Sequence, residues 1–239
     1  MNETDVKNRF DDKTRWILTL ILGMMVLFWR IVIPTNVEIK TATVIMTAGL
    51  DLLITVAVIV LNKNELKEAL AKKFTWKDVL KTIGFFVVTY VTINIFAQVM
   101  MIIRIDAPYN DIIANSGNVA WLGEKTAHIN PSPADWVAGK YITLFPLGAF
   151  ISMVILAPIW EEIVFRMAGK NLLRNPLLYV VVTSCLFAFI HTVNFSIFDN
   201  STYLFFGVLY AIGYLILKDV RILMICHFIN NLIASLLVY

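Results

Sequence analysis

Residues 141–166 read YITLFPLGAFISMVILAPIWEEIVFR. The first twenty of these carry no charge, and Glu161, Glu162 and Arg166 follow at once. An apolar run of about twenty residues is long enough to cross a hydrocarbon core about 30 Å thick. A charge near membrane depth costs about 2.5–3.5 kcal/mol on insertion scales, so such groups face a protein interior and mark candidate functional sites. The stretch therefore predicts both a membrane helix and a reactive centre at its end.

The rest of the chain fits that frame. It is 59% hydrophobic and 15% charged over 239 residues, with mean hydropathy +0.76. A soluble domain carries nearer 25% charge, so the composition predicts an all-α, polytopic transmembrane helical bundle. Apolar runs fall at about 16–33, 42–61, 79–103, 141–165, 176–195, 202–217 and 221–239. That is about seven or eight spans in one integral membrane domain, 1–239, with a catalytic core expected over 141–239. The first run exceeds a signal-peptide core and shows no small-residue cleavage site, so it reads as retained. Cys185 and Cys226 both lie inside expected spans, which argues against a structural disulfide. The net charge of +3 is what basic loops produce, and nothing points to nucleic acid.

Lysine placement sets an orientation. Lys63, Lys67, Lys72, Lys73, Lys77 and Lys81 crowd the 62–81 connection, which is then cytoplasmic. Lys7, Arg9, Lys13 and Arg15 put the N-terminus on the same side, and Lys170, Arg174, Lys218 and Arg221 agree. Within 62–78, Leu66, Leu70 and Phe74 recur at i, i+4 and i+8, the pattern of a helix lying in the interface plane, although a solvated charged linker reads equally well. The loop 104–140, with Pro108, Gly117, Pro131 and Pro133, is expected outside.

Chemistry concentrates on three spans. Glu162 and Arg166 are four apart and suited to an ion pair, while Glu161 is rotated about 100° away on an ideal helix. One acid can then be anchored while the other faces a cavity as a general base. The plain alternative is that all three charges cap the helix at the headgroups. His191 closes an apolar helix after Phe187-Ala188-Phe189-Ile190; alone, it reads as a buried, hydrogen-bonded histidine. His227 and Asn231, at i and i+4, point two donors one way, as an oxyanion requires, but interhelical hydrogen bonding uses the same pair. His128 lies in the loop and reads as solvated. From straight-helix rise, Glu161 is roughly 14 Å from Lys170, His227 about 9 Å from Arg221 and His191 roughly 22 Å from Pro176, so one common site requires tilted or offset spans.

Taken together, Glu-Glu-x-x-x-Arg (Glu161, Glu162, Arg166), Phe-x-x-x-His (Phe187, His191) and His-x-x-x-Asn (His227, Asn231) resemble the three motifs of the CPBP intramembrane proteases. That family includes CaaX prenyl endopeptidases and bacterial proteins linked to bacteriocin processing and immunity. The resemblance covers about 141–239. It implies hydrolysis of a peptide bond in a membrane-associated peptide or protein, with Glu161 activating water and His191 positioning it. His227 and Asn231 would stabilise the oxyanion, with Glu162, Arg166 and Phe187 in support. It implies no cofactor; under the older metalloprotease description, His191, His227 and Glu161 would hold zinc. The setting implied is the bacterial plasma membrane, multi-pass, with a cytoplasmic N-terminus. A cleavage site in the cytoplasmic half is the expected arrangement. Two other classes stay open: a proton-coupled carrier relaying protons through Glu161 and the histidines, and a non-enzymatic immunity or binding protein that keeps the fold.

Overall fold

The computed structural model describes residues 3–32, 41–103, 150–191 and 197–238. All described elements are helical, with no strand among them. They are α1 (Glu3–Val32), α2 (Thr41–Leu61), α3 (Lys63–Ala71) and α4 (Trp76–Ile103), then a composite helix α5. α6 (Pro176–His191), α7 (Ile197–Leu217) and α8 (Val220–Val238) complete the bundle. α5 is continuous but changes pitch, running as π-helix over Ile151–Leu156, α-helix over Ala157–Glu161, π-helix over Glu162–Ala168 and α-helix over Gly169–Leu172. The expected loop 104–140, with His128, and residues 141–149 of the expected fourth span lie outside the described residues.

α5 is the axis of the molecule. Every residue from Trp160 to Gly169 is buried, which is what a helix surrounded on all sides must be. Its neighbours are α1, α2, α6, α7 and α8. Pro158 explains the first change of pitch: it has no N–H to give and its ring displaces the preceding turn, and a π-turn absorbs that mismatch. In that π-turn Ala157 N–H donates to the Ser152 carbonyl, five residues back.

The outer helices present apolar faces. Leu53 is 68% and Val88 61% exposed, amid a belt of valines, leucines and isoleucines on α1, α2 and α4. Apolar surface of that extent suits lipid rather than water. By length and composition one described helix, Trp76–Met100, is long and apolar enough to cross a membrane, beside shorter apolar helices at Ala48–Leu61, Pro176–His191, Ser201–Leu217 and Val220–Ser235.

Local chemistry moves several boundaries from where hydropathy sets them. α4 starts at Trp76 rather than 79, because the Asp78 side chain caps the helix start, its Oδ2 accepting from Thr75 N–H and Oγ1–H at 3.0 and 2.6 Å. α1 starts well before residue 16, since hydropathy detects only its apolar part, and Asp12 and Arg15 pair on its polar turns at 3.0 Å. α3 ends at Ala71, short of the 62–78 helix that the leucine spacing suggests. Leu66 packs on the core, Leu70 stays exposed, and Phe74 lies past the helix end under the Arg221 guanidinium at 5.3 Å. Cys185 and Cys226 are free thiols.

Polar contacts and close backbones lock the helices together. Asn62, fully buried, donates to Thr19 Oγ1 at 3.0 Å and to the Val58 carbonyl at 2.7 Å. At Gly207 a Cβ would sit 2.9 Å from Ser184 Cα, so only glycine lets α7 lie this close to α6. That contact brings the aromatic face of α7 onto the end of α6.

Candidate active site

Glu161, Glu162 and Arg166 are fully buried, and His191 and His227 nearly so. The charges do not cap the helix at a surface. As the i, i+4 spacing predicts, Arg166 Nε donates to Glu162 Oε2 at 3.1 Å. The other Glu162 oxygen, Oε1, lies 2.9 Å from His227 Nδ1. Glu161 faces a different way: its Oε1 is 3.7 Å from His191 Nε2 and its Oε2 is 3.8 Å from His227 Nε2. Residues from three helices thus meet at one carboxylate, despite the unequal depths that straight-helix rise assigns them.

The partners decide where the ring protons sit. His191 Nδ1 is 2.7 Å from the Phe187 carbonyl, which can only accept, so Nδ1 carries the hydrogen. Glu162 is an ionised acceptor beside Arg166, so His227 Nδ1 also donates. In the neutral rings both Nε2 atoms are then bare lone pairs, and both face Glu161.

Asn231 occupies two roles. Its Nδ2 donates to the Met153 carbonyl at 2.8 Å. Met153 is five residues before Pro158, so in the π-turn this carbonyl is the one that Pro158 has no N–H to satisfy. Asn231 also lines a cavity of about 110 Å³ together with His191, His227, Phe187, Tyr203 and Phe206. Phe187 forms the shared wall: its ring centroid lies 4.5 Å from that of His191, and Arg166 sits over it at 5.2 Å.

Four contributors were not singled out by motif reading. Tyr203 stacks on His191 at 4.4 Å and 15°, while Phe206 and Tyr210 pack against His227 at 5.1 and 5.7 Å. Their i, i+3, i+7 spacing on one apolar helix was the available signal. Asp51, an acid inside the apolar α2, is buried and reaches Ser152 Oγ in the first π-turn. The argument that picks out Glu161 applies equally to it.

Residues 143–233 match the family model of the type II CAAX prenyl endopeptidase Rce1-like proteins. That match supports a CPBP family intramembrane protease. That family is membrane-embedded and its activity is proteolysis. No curated protein and no solved structure matches the chain. The matched segment holds α5 to α7, most of α8 and all three motifs, including every residue that meets at Glu161. Among the described residues no group of three or more His, Cys, Asp or Glu side chains is placed to hold a metal ion.

Proposed function

We propose that this protein hydrolyses a peptide bond in a membrane-associated peptide or protein, with Glu161 as general base. The observation that carries the reading is the convergence of His191 Nε2 and His227 Nε2 on one fully buried carboxylate, at 3.7 and 3.8 Å. A water bound between them would give its proton to Glu161 as it attacks the scissile carbonyl carbon. His191, oriented by the Phe187 carbonyl, holds that water through Nε2. The carbonyl oxygen becomes an oxyanion. His227 can donate to it from Nε2 only as imidazolium, because Nδ1–H is committed to Glu162, whose carboxylate balances the charge. The second Asn231 amide hydrogen is the other donor. On collapse of the tetrahedral intermediate the proton held by Glu161 passes to the leaving amine. Glu162 and Arg166 are positioning residues in this scheme.

The protein acts as a multi-pass membrane protein with its N-terminus on the cytoplasmic side, a reading supported by the lysine distribution and the lipid-facing apolar belt. No metal enters the step. Purified protein in detergent, offered hydrophobic peptides, tests the scheme. Glu161→Gln should abolish cleavage while the melting transition persists, and wild-type cleavage should survive 1,10-phenanthroline. Full activity in Glu161→Gln, or loss with chelator and recovery with zinc, would replace this mechanism.

A further inference from the structure

We infer that Asp51, which lies before the matched segment, is a positioning residue for the oxyanion donor Asn231 and acts through Ser152 and the Met153 carbonyl. The role of Asn231 rests on the protease reading; the linkage from Asp51 to Asn231 rests on hydrogen bonds alone. Asp51 is the one charged residue in α2, and it is buried. An ionisable side chain inside an apolar span is costly, and by default it marks a function. The residues lining the cavity beside Glu161 do not include Asp51, so its effect on the site passes through another group.

The route is short. Ser152 Oγ donates to Asp51 Oδ2 where α2 packs on the start of α5. Ser152 stands in the first π-turn, and its own carbonyl accepts from Ala157 N–H. Its hydroxyl is thus held by α2 and its carbonyl by α5. The next residue is Met153, whose carbonyl has no helical donor because Pro158 lacks an N–H. A carbonyl without that bond has no local partner to set its direction, and Ser152, fixed from α2, sets it instead. α2 is itself anchored to α1, since Asn62 at its end donates to Thr19 Oγ1 at 3.0 Å.

Met153 then aims the donor. Its carbonyl accepts one hydrogen of Asn231 Nδ2 at 2.8 Å. An amide NH₂ is planar, so the acceptor of the first hydrogen fixes where the second points. That second hydrogen is the one that meets the oxyanion. A reacting group displaced by about 1 Å can cost about 10²-fold in rate, so α2 reaches the chemistry without touching the substrate. The plain alternative is that Asp51 only fastens α2 to α5.

A double-mutant cycle separates the two. kcat, KM and melting midpoint are measured on the purified full chain in detergent, with a quenched-fluorescent prenylated CAAX peptide as probe. Asp51→Leu and Ser152→Ala should each lower kcat by about 10–10²-fold with KM nearly unchanged, less than the about 10²–10³-fold loss in Asn231→Ala. Asp51→Asn, whose amide oxygen still accepts from Ser152, should retain most of kcat. In the Asn231→Ala background, Asp51→Leu should cost little more, because the donor it aims is gone, whereas unconnected effects multiply. Full multiplication of the two losses would overturn the proposal, as would an unchanged kcat in Asp51→Leu and Ser152→Ala. A loss in Asp51→Asn as large as that in Asp51→Leu would overturn it too. Ser152→Ala carries the same cycle if Asp51→Leu does not accumulate. If the wild type cleaves no peptide, the protease reading fails and the cycle is read in the midpoint. Non-additive shifts for Asp51→Leu and Asn231→Ala then uphold the linkage, and additive shifts overturn it.

Discussion

Glu162→Gln separates what the buried pair does for folding from what it does for the site. The substitution keeps shape and removes charge. Arg166 is fully buried and loses the carboxylate that its Nε meets at 3.1 Å. Breaking a buried pair from one side costs about 3–5 kcal/mol, because the remaining charge is left uncompensated. For a chain of this size each kcal/mol moves the midpoint by about 2–4 °C, so melting should fall by about 6–20 °C. The second effect is chemical. Glutamine can turn its NH₂ toward His227 Nδ1, which shifts the ring hydrogen to Nε2 and removes the balancing charge of the imidazolium. In the serine-protease triad the analogous Asp→Asn change costs about 10⁴ in kcat, and a loss of about 10²–10⁴ is expected here. Tryptophan-fluorescence melting in detergent reads the first effect and peptide cleavage the second. The double variant Glu162→Gln/Arg166→Met removes the orphaned cation and should recover much of the midpoint without recovering turnover. Turnover that returns together with the midpoint would show that Glu162 acts only through stability and that the tautomer argument is mistaken.

Other consequences are simpler to read. Asn231→Ala should lower kcat by about 10²–10³, the scale of one oxyanion donor; an unchanged kcat with a lowered midpoint would confine Asn231 to the Met153 carbonyl. Gly207→Ala inserts a methyl 2.9 Å from Ser184 Cα and should cost about 1–3 kcal/mol, seen as a lower midpoint, with turnover falling as Tyr203 and Phe206 shift from the histidines. Lys218 holds φ at 53° in the α7–α8 turn, a conformation that costs a side chain about 1–2 kcal/mol, so Lys218→Gly should raise the midpoint by a few degrees with kcat unchanged.

Much of this protein was legible in one dimension. Helical class follows from apolar runs, and the Glu162–Arg166 pair from a spacing of four on one helix, because both are local and periodic. The lysines mark one end of the bundle because charges cannot enter lipid at low cost. The three short motifs name the residues around Glu161 before any packing is known. Other features are properties of contact between distant segments. Straight-helix rise set Glu161, His191 and His227 at unequal depths, and only the packing of α5 to α8 brings them to one carboxylate. The ring tautomers depend on which acceptor, Phe187 or Glu162, stands at Nδ1, and sequence spacing reveals only the first of these. Pro158 announces a disturbed helix, but that its unsatisfied Met153 carbonyl is met by Asn231, 78 residues away from Met153, is decided by tertiary structure alone. The reason is physical: hydropathy and periodicity encode which face a residue occupies, whereas a site is set by which faces meet.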